Sequence, residues 1–172
     1  MKGIEVTLTD MLACRERRAS LQNEFIQKDG CPVISFCMNI PGPIKTTPDI
    51  QKAFEAGKQT LLAQLKSHGL SILSQAELHE ITGDELLWAV EGSAEKIKEI
   101  TTQIEETHPL GRLFDMDIIG IDGEKLSRST CRTCLICGCQ AQECARSRRH
   151  TIAEMQGKIE EMLASQAGSK GD

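Results

Sequence analysis

The chain has 172 residues, of which 40% are hydrophobic and 26% charged, as expected for one globular domain with a buried core. A formal net charge of −5 and an aromatic content of 3% argue against a nucleic-acid-binding protein. No apolar run reaches 18 residues and no apolar signal-peptide core follows Met1. The sequence therefore predicts a cytoplasmic protein without a membrane span, whose eight cysteines are mostly reduced.

The first part of the chain predicts a helix, a strand and a second helix. Thr9 is a candidate N-cap for the first helix, which should end near Gly30. The apolar run 33–40 is typical of a strand. Thr47-Pro48-Asp49 indicates a helix start, and apolar residues at helical spacing continue from there to His68.

The second part predicts two strands, a third helix and a last strand. Residues 70–81 and 85–90 are candidate strands on either side of a turn at 82–84. Ser93 is a candidate cap for a helix that ends near His108, and residues 113–121 form the last predicted strand. The order βαββαβ predicts an α+β, ferredoxin-like core with an added N-terminal helix.

The C-terminal third differs in composition from this core. Residues 128–150 are rich in cysteine and arginine and show little hydrophobic periodicity. Thr151 and Glu154 have the spacing of a capping box, which predicts a C-terminal helix. We expect a single domain over residues 1–167 and a disordered tail over 168–172.

Two aspartates lie in the last predicted strand, at Asp115 and Asp117. Alternate side chains of a strand share a face, so the two carboxylates should point the same way, about 7 Å apart. Phe114, Met116 and Ile118 should point the other way, towards the helices. Two carboxylates favour Mg²⁺, which also binds substrate phosphates. The alternative is a strand with solvated acids, because Asp-x-Asp is common by chance.

The first strand should lie beside the last one in a ferredoxin-like sheet. Its more polar alternate residues are Val33, Ser35, Cys37 and Asn39. These residues should therefore flank the aspartates and give the open face of the sheet a polar centre.

Five cysteines are clustered in the C-terminal third: Cys131, Cys134, Cys137, Cys139 and Cys144. Two cysteines at two-residue spacing are typical of a turn that presents thiolates to Zn²⁺. A candidate ligand set is Cys134, Cys137 and Cys144, completed by His150 or Cys131. An iron–sulfur cluster, or reduced thiols without a metal, remain alternatives.

Arginines lie on either side of the cysteines, at Arg128, Arg132, Arg146, Arg148 and Arg149. Guanidinium groups bind phosphate oxygens in pairs, so these residues would form a phosphate site if the cysteine segment brings them together. The alternative is a solvated basic surface. Glycine-rich phosphate loops of the Walker type are absent from the sequence, which argues against a P-loop kinase.

Several motifs in order resemble the holo-citrate lyase synthase family, also called apo-citrate lyase phosphoribosyl-dephospho-CoA transferases. The motifs are Arg15-Glu16-Arg17-Arg18 with Gln22, Ile34-Ser35-Phe36-Cys37-Met38-Asn39-Ile40-Pro41-Gly42-Pro43, Gly111-Arg112-Leu113-Phe114-Asp115-Met116-Asp117, Cys134-Leu135-Ile136-Cys137 and Cys144-Ala145-Arg146-Ser147-Arg148-Arg149-His150. The resemblance runs from about residue 9 to about residue 165 and carries over metal binding only at Asp115 and Asp117. Cys131 and Cys139 lie outside its pattern.

The resemblance implies a nucleotidyltransferase. The donor would be 2′-(5″-triphosphoribosyl)-3′-dephospho-CoA and the acceptor a serine of the acyl carrier (gamma) subunit of citrate lyase, with release of pyrophosphate. Asp115 and Asp117 would hold Mg²⁺ and act in catalysis, with Asp117 a candidate base. Arg112 and the five arginines of the C-terminal third would bind the donor's phosphates.

Two alternatives stay open from the sequence. One is transfer of a similar group to another carrier, such as that of malonate decarboxylase. The other is a zinc-stabilised binding module without catalysis, which would use the cysteine and arginine segment to hold a partner.

Overall fold

The computed structural model describes residues 1–128 and 131–167, and it has an α+β architecture. The elements are α1 (Leu8–Asp29), β1 (Val33–Met38), α2 (Pro48–Ser67), β2 (Ser71–Glu80), β3 (Gly83–Glu91), α3 (Ala94–Thr107), β4 (Phe114–Ile119), α4 (Ala141–Arg146) and α5 (Ile152–Ala167). The strands form one antiparallel sheet in the order β2-β3-β1-β4. The predicted α+β class is therefore confirmed.

The helix ends follow local capping chemistry. Helix α1 begins after Thr7, so the prediction of Thr9 as its cap is wrong. Thr7 and Asp10 form a capping box in which Thr7 Oγ1 accepts from the backbone of Asp10 and the Asp10 carboxylate accepts from the backbone of Thr7. The helix ends at Gly30, whose φ of 63° suits glycine. The predicted cap of α2 at Thr47 is confirmed.

The main core lies on one face of the sheet, under α2, α3 and α5. Phe36 stacks on Phe54 and meets the edge of Phe114. Gly57 lets α2 approach closely, because a Cβ at this position would lie 2.7 Å from Phe36 Cζ. The aliphatic remainder of the core reaches Ile159 of α5, so the C-terminal helix packs on the same core.

The other face of the sheet is only partly open, since α1 crosses it. Phe25 and Ile26 of α1 pack on Val33, Leu87 and Ile119. This second, smaller core covers the end of the face away from Asp115. The sequence did not predict where α1 packs, because a first helix can lie on either face.

Both predicted boundaries of the last strand differ, because β4 spans Phe114–Ile119 rather than residues 113–121. Residues Gly111–Leu113 form a 3₁₀ turn, so β4 begins at Phe114 rather than at residue 113. Leu113 is consequently buried in the main core and does not share the aspartate face. Helix α4 was not predicted, since its six residues are too few to show an apolar stripe.

Two further predictions concern the ends of the chain. Residues 168–172, predicted to be a disordered tail, lie outside the described residues. A single domain over 1–167 stays a prediction. In the described ranges, no helix is both long enough and apolar enough to cross a membrane.

Candidate functional site

The aspartate pair lies on β4, beside β1. Asp115 pairs with Cys37 and Asp117 with Ser35, in agreement with the predicted face alternation. Phe114 and Met116 are fully buried on the opposite face. The two carboxylates are thus fixed by a strand whose other face is anchored in the main core.

A cleft of about 420 Å³ opens beside the pair. It is lined by Lys98, Asp115, Asp117, Lys125, Leu126, Ser127, Arg128, Cys131, Arg132, Ala141 and Gln142. Helix α3, strand β4, the chain after β4 and the start of α4 therefore all contribute to one concave surface. Two acids and four cations line it, which suits a phosphorylated ligand bound with a cation.

The aspartates are compensated by basic neighbours from this cleft. Lys125 Nζ lies 2.5 Å from Asp117 Oδ2, and Arg132 Nη2 lies 3.5 Å from Asp115 Oδ1. Burial, followed by the charge of Asp117, nevertheless raises the pKa of the Asp115 carboxyl above its ordinary value. Burial therefore disfavours the ionised form of Asp115, and a hard divalent cation with oxygen ligands would stabilise that form and fits the pair.

Glu105 of α3 holds two of the predicted arginines in place. Its side chain is 2% exposed and accepts from the backbone of Met116 at 2.7 Å. The same carboxylate forms ion pairs with Arg128 and, at 2.5 Å, with Arg132. Arg132 also donates to the carbonyl of Phe114 at 2.9 Å. The guanidinium groups are therefore fixed before any ligand arrives.

The other four predicted arginines do not line this cleft. Arg112 donates to the carbonyl of Thr133, and Arg149 Nη1 lies 3.3 Å from Cys139 Sγ. Arg146 and Arg148 are exposed. The structure thus brings Arg128 and Arg132 together beside the aspartates and places the rest around the cysteine segment.

Lys98 is a further basic residue that sequence reasoning did not select. It is buried, and Nζ donates to the carbonyl of Met116 at 3.4 Å. Lys98, Thr101 and Glu105 follow one another at spacings of three and four along α3, so they share one side of the helix. A polar stripe beside the apolar stripe of α3 was the available signal for both Lys98 and Glu105.

A buried polar network joins α1 to the sheet next to the aspartates. Glu85 of β3 forms an ion pair with Arg18 and accepts from Cys14 Sγ at 2.9 Å. Cys37 pairs with both Glu85 and Asp115 in the sheet. Burial raises the pKa of the Cys37 thiol to about 12, so this group is a neutral thiol near pH 7.

The four predicted zinc ligands come together. One ligand atom from each of Cys134, Cys137, Cys144 and His150 lies within 4.8 Å of the other three. A tight turn joins the first two, since Cys134 N donates to the carbonyl of Cys139 at 2.6 Å and Gly138 N donates to that of Cys134. Helix α4 supplies Cys144. The cluster that could hold a metal is therefore present, without Cys131.

The chemistry of this donor set suits a metal ion. His150 Nε2 is buried and has no hydrogen-bond partner among the described residues. Burial chiefly raises the pKa of the Cys144 thiol above its ordinary value. Three sulfurs and one imidazole nitrogen form the set that tetrahedral Zn²⁺ prefers.

An acidic pair at a basic cleft is typical of proteins that bind a phosphorylated ligand together with a divalent cation. Comparison with known proteins then narrows the class. The model of the family described as apo-citrate lyase phosphoribosyl-dephospho-CoA transferase matches residues 6–166, and the chain belongs to this family.

Named relatives agree over most of the chain. A protein of Citrobacter koseri named apo-citrate lyase phosphoribosyl-dephospho-CoA transferase is 35% identical over 162 residues, covering 92% of this chain and 88% of the relative. A probable transferase of the same name from Vibrio cholerae serotype O1 is 35% identical over 164 residues, with 92% of each chain covered. A transferase of Escherichia coli O139:H28 is 32% identical over 162 residues, with 92% and 88% covered.

Proposed function

We propose that this protein is a transferase that attaches the prosthetic group of citrate lyase. The donor is 2′-(5″-triphosphoribosyl)-3′-dephospho-CoA, and the acceptor is a serine of the acyl carrier (gamma) subunit of apo-citrate lyase. The observation that carries this proposal is the family match over residues 6–166. The acidic pair beside a basic cleft supports it, because a triphosphate needs both kinds of group.

The reaction exchanges one phosphorus–oxygen bond for another. The serine oxygen forms a bond to the α-phosphorus of the donor, and the bond from that phosphorus to the bridging oxygen of the pyrophosphate breaks. The serine proton leaves to a base, for which Asp117 is a candidate, and pyrophosphate departs with the bonding electron pair. Arg128 and Arg132 neutralise the departing charge from fixed positions in the cleft.

We assign Asp115 and Asp117 as the residues that hold Mg²⁺. A bound Mg²⁺ supplies charge neutralisation at the phosphate oxygens. The position of both carboxylates on one face of β4 supports this assignment, and a nearby dication would stabilise the ionised form of Asp115 that burial disfavours. The exposed Lys125 pairs with Asp117 in the structure and could turn towards phosphate oxygens once a cation is bound, whereas Arg132 stays held by Glu105.

The remaining predicted arginines are proposed to contact more distant parts of the donor. Arg112, Arg146, Arg148 and Arg149 lie around the cysteine segment. They are separate from the cleft beside the aspartates, so they suit phosphates away from the reacting one, such as those of the dephospho-CoA portion.

The test is transfer by the purified protein. With donor, apo-carrier and Mg²⁺, we expect release of pyrophosphate and a carrier whose mass rises by that of the attached group. A carrier in which the acceptor serine is replaced by alanine is the control. Absence of both signals from folded protein would refute the proposal, and modification of only the carrier of malonate decarboxylase would redirect it to that acceptor.

We further propose that the core is ferredoxin-like and that the protein works in the cytoplasm. The strand order β2-β3-β1-β4 and the two strand–helix–strand units support the fold assignment. The acceptor, a subunit of a metabolic enzyme, supports the location.

We propose that Cys134, Cys137, Cys144 and His150 bind structural Zn²⁺. The closeness of their ligand atoms and the unpaired His150 Nε2 support it. The ion would fix residues 131–150, which place Arg132 in the cleft. Elemental analysis of protein purified without added metal should give about one zinc per chain; protein that is free of zinc, remains folded and does not bind added Zn²⁺ would exclude the site.

A further inference from the structure

We propose that Lys98 is a direct phosphate contact at the floor of the cleft and binds the pyrophosphate portion of the donor and the released pyrophosphate. The inference rests on the proposed function for the identity of the ligand. It adds a substrate-binding residue from α3, outside the cysteine and arginine segment.

The first support is the position of the amine. Lys98 lines the cleft together with both aspartates, yet only 9% of the residue is exposed. A lysine that is nine-tenths buried and lines a concave surface is accessible mainly from that surface. A ligand bound in the cleft could therefore reach this side chain.

The second support is the charge balance of the cleft. Arg128 and Arg132 share the carboxylate of Glu105, and Lys125 pairs with Asp117. Among the cleft-lining cations in the described ranges, Lys98 alone forms no ion pair. It is thus the cation in the cleft whose positive charge lacks a bound counter-charge.

The third support is that the ammonium group of Lys98 is poorly hydrogen-bonded within the protein. An ammonium has three donors, and the contact to the carbonyl of Met116, at 3.4 Å, is long for a hydrogen bond. Burial lowers the pKa of Lys98, with Asp117 the largest opposing influence. Retaining a buried, weakly bonded cation costs stability, and a bound phosphate would return the missing counter-charge.

A structural role makes the opposite prediction. If the contact to Met116 anchored α3 to β4, removing the amine would destabilise the protein and leave ligand affinity alone. If Lys98 binds phosphate, Lys98→Met fills the same space without a buried charge, so the melting temperature should stay equal or rise while affinity falls.

The experiment compares wild type with Lys98→Met and Lys98→Gln. Thermal unfolding gives Tm, and calorimetric titration with inorganic pyrophosphate in the presence of Mg²⁺ gives the pyrophosphate affinity. The matched control is Lys96→Met, an exposed lysine on the same helix. We expect Kd to rise roughly tenfold or more in both Lys98 variants and to stay unchanged in the control. The KM for the donor should rise with it.

Three results separate this inference from the proposed function. Wild-type protein that transfers the group while both Lys98 variants bind pyrophosphate normally would overturn the role of Lys98 alone. Lower Tm in both variants with unchanged affinity of the folded protein would overturn it in favour of a structural role. Wild-type protein that binds pyrophosphate through Lys98 but transfers nothing would support the subsite and refute the proposed function.

Discussion

The aspartate pair beside the basic cleft and the cysteine cluster are both candidate metal sites, but they are built in different ways. The cleft draws Asp115 and Asp117 from a strand anchored in the main core, and its two arginines are held by Glu105 of helix α3. The cysteine cluster consists of a tight turn, the six-residue helix α4 and the residues after it. In the first, a rigid scaffold fixes the ligands; in the second, the ligands themselves are the main links within the segment.

This difference in construction indicates what a bound metal would do at each site. Carboxylates at the cleft already have Lys125 and Arg132 as partners, so the fold does not depend on a cation there. The cysteine cluster has a buried His150 Nε2 without a hydrogen-bond partner in the described part of the chain, so a metal would supply folding free energy there. Changes at the first should therefore affect chemistry, and changes at the second should affect stability.

The largest expected effect is a loss of catalytic activity when the aspartates are replaced. Asp115→Asn and Asp117→Asn should each lower kcat/KM roughly a hundredfold or more, because charge stabilisation at the phosphate is lost. Pyrophosphate release at several Mg²⁺ concentrations measures this. Asp49→Asn, an exposed aspartate on α2, is the matched control and should be fully active. Near-normal transfer by both site variants would remove the aspartates from the mechanism.

Asp115→Asn should at the same time leave stability equal or higher. Because the pKa of Asp115 is raised on folding, the folded state binds its proton more tightly, and ionisation of this group lowers stability as pH rises past the ordinary value of 3.8. The gain in Tm over wild type, measured without metal, should therefore be present at pH 7 and shrink as pH falls towards that value. A variant less stable than wild type at pH 7 would contradict this sign.

The next largest effect should come from replacing Glu105, which contributes both to stability and to the placement of the cleft's arginines. Glu105→Gln leaves Arg128 and Arg132 without their buried counter-charge, at a cost of about 3 kcal/mol in unfolding free energy. Chemical denaturation measures that cost, with the exposed Glu99→Gln as control. The KM for the donor should also rise, since the two guanidinium groups are no longer fixed. Loss of stability with an unchanged KM would assign Glu105 a purely structural role.

A smaller effect on stability is expected at the cysteine cluster. Cys134→Ser should lose the bound zinc and lower Tm by about 2–4 °C, the shift that 1 kcal/mol produces in a chain of this size. A chelator should lower the Tm of wild type by a similar amount and leave the variant unchanged. Cys139→Ser, an exposed cysteine outside the ligand set, should keep its zinc. Equal zinc content in both variants would rule out Cys134 as a ligand.

The smallest effect should come from the surface ion pair of the cleft. Lys125 is 57% exposed, so its pair with Asp117 contributes less than about 1 kcal/mol and is screened by salt. Lys125→Met should change unfolding free energy by no more than this, and the change should shrink in 1 M salt. A larger, salt-insensitive loss would show that the pair is more buried in solution than in the structure.

Much of the site was predictable because its signals are local. Face alternation placed Asp115 and Asp117 together beside Cys37, and the spacing of Cys134 and Cys137 predicted a turn that presents two thiols. The positions of the arginines were harder to predict from the sequence. Only Arg128 and Arg132 line the cleft with the aspartates, because the buried carboxylate of Glu105 draws them there and nothing in the arginine pattern identifies that partner.

The sequence by itself determined the α+β class, most helix ends and the shared face of the two aspartates. Capping groups and strand alternation act over a few residues, so they can be recognised along the chain. Only the tertiary structure decided that α1 covers part of the aspartate face, that Lys98 lines the cleft and that Glu105 holds its two arginines. Those outcomes depend on which faces pack together and on where buried charges find partners far apart in sequence.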